Sequence, residues 1–358
     1  MANANACVSA FVSTSLASPY CLSNTSSHPV SYPLYHIPRP SLLSLLSDRH
    51  LSIAAPFLVY WTLSIIFHLI DISHIPYFER HRIHDLEETR TKNRRVGVGE
   101  VVLTVLFQQV LQTALGLVWL VDDEVESGPM RDHAADIARW SLVVRKGVRR
   151  IVGGQEWMSS VGGEVVGEGV AEWVYWWGVP ACQLFLALVV LDAWQYFWHR
   201  VVHESNYLYR KIHSWHHLLF APYAFGALYN HPLEGFLLDT FGAALAHSIA
   251  GMTTRQGIVF FALSTAKTVD DHCGFMLPWD PFQILFGNSA DYHDIHHQLG
   301  GFKKNYEQPW FRYLDYFCGT QISREEFEQF KAERKKRALV RAEKEKAEAE
   351  ESDPNLVA

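Results

Sequence analysis

The chain has 358 residues, 49% of them hydrophobic and 13% aromatic, with 19 histidines and a formal net charge of -7. That length suits one good-sized domain or a modest membrane protein with soluble parts, and the mild acidity leaves no electrostatic footprint for a nucleic-acid partner. The five cysteines, Cys7, Cys21, Cys182, Cys273 and Cys318, are scattered without CxxC pairing, which sets aside a disulfide framework and a cysteine-rich metal site.

Residues 1–50 are rich in Ser, Pro and small residues and read as a largely disordered leader, with a short interfacial helix near Leu42 to Leu46. Residues 51–121 hold two predicted transmembrane helices, at about 51–72 and 100–121, each near the roughly 20 residues that cross a bilayer core. Gln108, Gln109 and Gln112 in the second are expected to face protein. Residues 122–172 read as a polar loop insertion. A third span covers about 173–198 and contains Pro180, Asp192 and Gln195. Two further apolar stretches, 233–251 and 257–269, are separated only by MTTRQ and are expected to form a tight hairpin, the second being short for a full crossing. From 326 to 358 the chain is a charged, Ala-rich helical tail with i,i+4 ion pairs.

Orientation follows from basic residues near span ends. Arg80, Arg82, Arg90, Lys92, Arg94 and Arg95 lie between the first two spans, and the positive-inside rule assigns that loop to the cytosol. The 122–172 segment opens with Asp122, Asp123 and Glu124 and is assigned to the lumen, although a basic patch from Arg145 to Arg150 runs against this. The expected fold is all-α: a multi-span membrane helical bundle with a histidine-rich di-metal cap facing the cytosol.

Eleven of the histidines lie between His199 and His297, and eight of them fall into three motifs. These are His199-Arg-Val-Val-His203, His213-Ser-Trp-His216-His217 and His293-Asp-Ile-His296-His297. On a helix, residues i, i+3 and i+4 share a face, so HxxxH and HxxHH aim their rings at a common region. Single motifs of this kind are weak signals, since an isolated histidine is usually a hydrogen-bonded structural residue. Three in order beside apolar spans are a strong one. Imidazole suits iron, zinc and copper, and eight rings exceed the roughly four to six ligands of one such ion. They fit two ions with open positions. Iron is preferred because it can activate dioxygen, while zinc can occupy the same ligands. His272, directly after the fifth apolar stretch, is added as a ninth ligand. His231, in Asn230-His231-Pro232, is counted as a tenth, with a helix cap as its alternative role.

Asp192 lies seven residues before His199 on the same helix face, and an ionisable residue inside a span is a functional suspect. Asp192 and Asp294, with Asp271, are expected to accept an imidazole N–H and orient the ring, with a helix cap or a surface carboxylate as the plain alternative for each. His247 reads as structural or channel-lining, and His81, His84, His36 and His50 as ordinary surface residues. Trp194, Trp198, Trp215, Phe275 and Trp279 are considered as substrate lining.

These residues resemble the fatty acid hydroxylase superfamily over about 173–325, through AWQYFWHRVVH, KIHSWHH, YNHPLEGF, TVDDHCGFMLPWDP, YHDIHHQ and YLDYFCGT. Within it, Thr268 to Gly274 with Leu277-Pro278-Trp279-Asp280-Pro281 looks most like the sphingoid base C4-hydroxylases. The resemblance implies a catalytic domain over 173–325 that binds two iron ions and hydroxylates a dihydrosphingoid base, or dihydroceramide, to phytosphingosine in the endoplasmic reticulum membrane. It also implies electrons from cytochrome b5 and its reductase. Neither His-Pro pair is followed by Gly-Gly, so a fused cytochrome b5 domain is not indicated. Rival readings are another lipid oxidation of the superfamily, such as sterol oxidation, fatty-acid 2-hydroxylation or desaturation, and a membrane metal-binding or transport protein. Transport sites lie near the midplane of the spans, whereas these motifs lie at span ends.

Overall fold

A computed structural model describes residues 33, 41–121, 132–152 and 168–352. Apart from residue 33, residues 1–40 of the expected leader lie outside the described residues, as do 122–131 and 153–167 of the insertion and 353–358 of the tail. Among the described residues the architecture is helical, with only two isolated β-bridges, Leu43 with Leu46 and Arg82 with Phe275.

The interfacial helix expected near Leu42 to Leu46 is a turn. Asp48 Oδ1 accepts the Leu42 N–H at 2.7 Å and Ser41 Oγ donates to the Leu43 carbonyl at 2.6 Å, local side-chain bonds that compete with helix. Helix α1 (Asp48–Ser73) starts only after Ser47, its N-cap. With α2 (Val98–Trp119) and α4 (Glu168–Glu204) it makes three helices long and apolar enough to cross a membrane. All three expose large apolar side chains, among them Leu58, Leu69, Leu103, Val110, Phe185 and Phe197. Such continuous apolar surface fits lipid better than water. The glutamines of α2 do face protein: Gln108 and Gln109 are buried, and Gln109 accepts from Trp61 Nε1 at 2.9 Å. Within the 122–172 insertion lies one further helix, α3 (His133–Val152). Helix α4 takes a π-helical turn at Val174–Gly178 ahead of Pro180, which has no N–H to give the helical ladder.

The fourth apolar stretch becomes a short π-helical run, Gly235–Phe241, leading into α5 (Gly242–Ile249). The fifth becomes α6 (Thr254–Asp271), opened by a capping box between Thr253 and Gln256. Gly251, at φ 61°, turns the chain between them. The connection is tight, but the two helices do not pair mainly with each other. Helix α5 packs chiefly on α4, and α6 on α1.

Helices α1 and α6 run parallel. Ser52 Oγ donates to the Thr254 carbonyl at 3.1 Å at one end, and Phe67 packs against the cluster of Cys273, Phe275, Leu277 and Ala290 at the other. The carboxyl ends of α1, α4 and α6 therefore meet at one level, where the histidines emerge. The basic segment between α1 and α2 lies against this cap: Ile83 N–H donates to Gly274, and Asn93 Nδ2 donates to the Ala221 carbonyl at 2.6 Å. The cap is closed by α7 (Ala290–His297) and by the start of α8 (Arg324–Ser352), whose Phe327 is buried. From 328 to 348 α8 is exposed and carries i,i+4 pairs such as Glu333 with Arg337 and Arg341 with Glu345.

Candidate metal centre

Nine of the ten histidines proposed as ligands converge, in two groups. His199, His203, His213, His217 and His296 form one, and His216, His272, His293 and His297 the other; within each group the ring nitrogens lie within 4.8 Å of one another. None of the nine is more than 5% exposed. The three motifs supply eight rings, and the carboxyl end of α6 supplies His272.

Each HxxHH motif is split between the groups rather than aimed at one. His293 and His297 join the four-ring group while His296 joins the five-ring group; His213 and His217 go to the five-ring group and His216 to the other. Helical geometry accounts for the split on α7. At 3.6 residues per turn, i and i+4 are about 40° apart, whereas i+3 and i+4 are about 100° apart. One helix face thus reaches two adjacent points.

The Nδ1 atoms fix the tautomers. Nδ1–H donates to a backbone carbonyl in His199 (Tyr306, 2.7 Å), His216 (Tyr229, 3.2 Å), His272 (Thr268, 2.8 Å), His296 (Lys304, 2.7 Å) and His297 (Leu219, 2.9 Å). A carbonyl only accepts, so in a neutral ring Nε2 must carry a lone pair. Yet His272 Nε2 and His216 Nε2 lie 3.4 Å apart with no proton available between them. Protonation is opposed by burial, which lowers His213 and His272 to about 3 and His216 to about 4, and holds His217, His293, His296 and His297 well below the ordinary histidine range. His296 Nε2 is buried without a partner. Neutral lone pairs converging in a dry pocket are what a pair of divalent cations requires, and the donor set fits imidazole-binding metals.

Glu234 is the carboxylate that touches a ring of the groups, at His213 Nδ1. Such a partner sets ring orientation and raises ligand basicity. Sequence reasoning quoted YNHPLEGF without singling out Glu234, although a glutamate opening a helix beside His231 was a usable signal.

None of Asp192, Asp294 and Asp271 is hydrogen-bonded to a ring of the two groups. Seven residues along α4 raise Asp192 ~10.5 Å from His199, beyond one hydrogen bond. It accepts instead from the backbone N–H groups of Trp310 (3.2 Å) and Phe311 (2.6 Å). Asp315 accepts from Tyr306 N–H at 3.0 Å and Glu307 N–H at 2.8 Å. Together they hold the segment whose Tyr306 carbonyl orients His199. Asp294 accepts from His84 Nε2, Arg324 and Gln298 at 2.7, 2.7 and 3.1 Å, and Asp271 pairs with Lys267. His84 is therefore no free surface residue. Burial opposes its charge, but the Asp294 and Glu88 carboxylates outweigh it and raise its pKa. His231 joins neither group. Its Nδ1 accepts from Leu233 N–H at 3.2 Å, the cap role, and its ring packs on Trp215. His247 Nε2 donates to the Thr253 carbonyl at 3.2 Å.

A cavity of about 160 Å³ runs between α1, α2, α4, α5 and α6, with Ile53, Phe57, Leu115, Leu191 and Phe261 among its walls. A smaller chamber of about 20 Å³ is walled by His213, His216 and His272, with Asn230, Glu234 and Asp271. Gln195, Asp239, Thr268 and Pro309 line both. The apolar cavity therefore abuts the chamber that reaches both histidine groups. None of Trp194, Trp198, Trp215, Phe275 or Trp279 lines either space. Trp194 Nε1 instead donates to the Leu237 carbonyl at 2.9 Å.

Comparison with known proteins agrees with this geometry. A family model described as fatty acid hydroxylase matches residues 184–320, which contain all nine converging histidines. The sphingolipid C4-hydroxylase of Schizosaccharomyces pombe is 42% identical over 76% of this chain and 87% of its own length. Sphinganine C4-monooxygenase 1 of Arabidopsis thaliana is 40% identical over 77% and 88%. A very-long-chain aldehyde decarbonylase of Oryza sativa subsp. indica is 38% identical over 77% and 90%. No solved structure matches the chain. With its histidine motifs gathered into two potential metal sites at the end of a membrane bundle, the chain belongs to the fatty acid hydroxylase family.

Proposed function

We propose that this protein hydroxylates carbon 4 of a dihydrosphingoid base, free or within dihydroceramide, to the phytosphingosine form, using two iron ions held by the nine buried imidazoles. The observation that carries the reading is the joint between the apolar cavity and the chamber walled by His213, His216 and His272. The relatives named for sphingolipid C4-hydroxylation and sphinganine C4-monooxygenation support the substrate class.

The target is an unactivated methylene, whose C–H bond no side-chain acid or base can break. Bound iron supplies dioxygen activation, chemistry that belongs to the cofactor. Overall, one oxygen atom enters the C–H bond as hydroxyl and the other leaves as water, with two electrons and two protons supplied. The protein's own residues bind and orient. Tyr306, Tyr229, Thr268, Lys304 and Leu219 carbonyls and the Glu234 carboxylate point Nε2 lone pairs inward. The cavity walls immobilise the alkyl chain and keep water from the reacting carbon.

Cytochrome b5 and its reductase are the proposed electron donors, in the endoplasmic reticulum membrane with the cap facing the cytosol. The basic segment from Arg80 to Arg95 packs on the histidine cap, and the positive-inside rule assigns such a segment to the cytosol. The test is expression in cells that lack 4-hydroxylated long-chain bases, with lipids read by mass spectrometry. The reading expects a new hydroxyl at carbon 4, and none from His216→Ala. Absence of that product from metal-loaded wild-type protein overturns it.

A further inference from the structure

The chamber under the histidines carries a second recognition feature, at its seam with the apolar cavity. Asp239 lines both spaces and accepts three amide N–H bonds: Gln195 Nε2 at 3.1 Å on one oxygen, and Asn230 Nδ2 at 3.1 Å and Gln108 Nε2 at 3.2 Å on the other. Ionised opposite an ammonium group, this carboxylate would offer about four acceptor sites, so one would remain. Gln195 Nε2 faces two acceptors, the Leu238 carbonyl at 3.1 Å and Asp239, which fixes its amide orientation and leaves Oε1 free. Among the chamber's lining residues, the buried side-chain atoms without a partner are Gln195 Oε1 and Glu234 Oε2. Both are acceptors, on residues 5% and 4% exposed. A buried unpaired acceptor is destabilising, and a ligand that brings donors relieves that cost.

We propose that Asp239, Gln195 Oε1 and Glu234 Oε2 form an acceptor-only seat for the ammonium and hydroxyl groups of a long-chain amino alcohol, selecting it over chains of equal length that end in a carboxylate or an aldehyde. This rests on the hydroxylase reading above and names the groups that set its substrate choice. The alkyl chain lies in the apolar cavity and the donor-rich end meets the seat. A carboxylate or aldehyde head brings acceptors to acceptors and leaves both sides unpaired, and sites built to bond polar groups reject such analogues strongly. The packing behind the seat is close: a Cβ on Gly235 would fall 1.7 Å from Gln108 Nε2, so Gly235 allows Gln108 to reach Asp239.

The test uses the full-length, metal-loaded protein in lipid nanodiscs. Binding of sphinganine, stearate and octadecanal is measured, with turnover of sphinganine and metal content in parallel. The seat predicts at least about tenfold tighter binding of sphinganine than of the other two. Asp239→Asn and Gln195→Met should narrow that ratio and raise KM for sphinganine more than they lower kcat, with metal content unchanged. If Asp239→Asn does not fold or loses metal, Gln195→Met decides alone. Wild-type turnover of sphinganine with unchanged KM and selectivity in the decisive variant overturns the seat and leaves the hydroxylase reading standing. No wild-type turnover overturns the reading on which the seat depends.

Discussion

The two histidine groups are near neighbours built from the same motifs, yet they differ in number and support. The five-ring group draws His199 and His203 from the long helix α4 and has a carboxylate, Glu234, behind His213. The four-ring group has carbonyls behind His216, His272 and His297, and no carboxylate bonded to its rings among the described residues. For ions that take roughly four to six ligands, the five-ring site is closer to saturation and the four-ring site leaves more positions for oxygen or substrate. Two of the three rings that wall the chamber, His216 and His272, belong to the four-ring group. With two ions bound as proposed, the five-ring site would chiefly hold its ion and the four-ring site expose it.

The largest effect should come from the four-ring group. His272→Ala leaves three rings there and should abolish hydroxylation and remove half of the bound metal. His203→Ala leaves four rings in the other group and should retain most metal. Elemental analysis of the two variants, beside product assays, breaks the comparison if they lose metal equally. Next in size, Glu234→Gln should weaken metal binding about 10–100-fold, read by chelator competition, with the loss confined to one of two ions.

Acid should dissolve the distinction. His213, His216 and His272 are lowered by burial to about 3, 4 and 3, against about 6.5 in the unfolded chain. The unfolded state therefore binds more protons below pH 6.5, so metal-free stability is fully present above that pH and is lost as pH falls toward 4 and 3. Thermal melts of the metal-free protein from pH 8 to 4 should show a falling midpoint; a flat profile contradicts neutral buried rings. The smallest effect is expected at Asp192→Asn, which removes one of the two oxygens that accept from backbone N–H groups and should lower stability by about 1–3 kcal/mol. Denaturant unfolding measures it, and activity should fall less, because Asp192 acts on His199 only through the Trp310 and Tyr306 segment.

The spans and the ligand rings were legible because both are periodic signals. Apolar runs declare α1, α2 and α4, and HxxxH and HxxHH declare eight rings. Non-local relations were not legible. Glu234 reaches His213 across 21 residues, and Asp192 reaches Phe311 across 119. His84 reaches Asp294 across 210. No helical repeat encodes such pairings. His231 misled because a histidine before proline serves equally as ligand or cap, and only its Leu233 N–H bond separates the two roles. The packing of the hairpin was not legible for a related reason: apolar composition does not say that α5 packs chiefly on α4 and α6 on α1.

Anomalous diffraction from the iron-loaded protein tests the central claim most directly. Two ions should appear, one among His199, His203, His213, His217 and His296, and the other among His216, His272, His293 and His297. A single ion, or ions bound away from these rings, would contradict it.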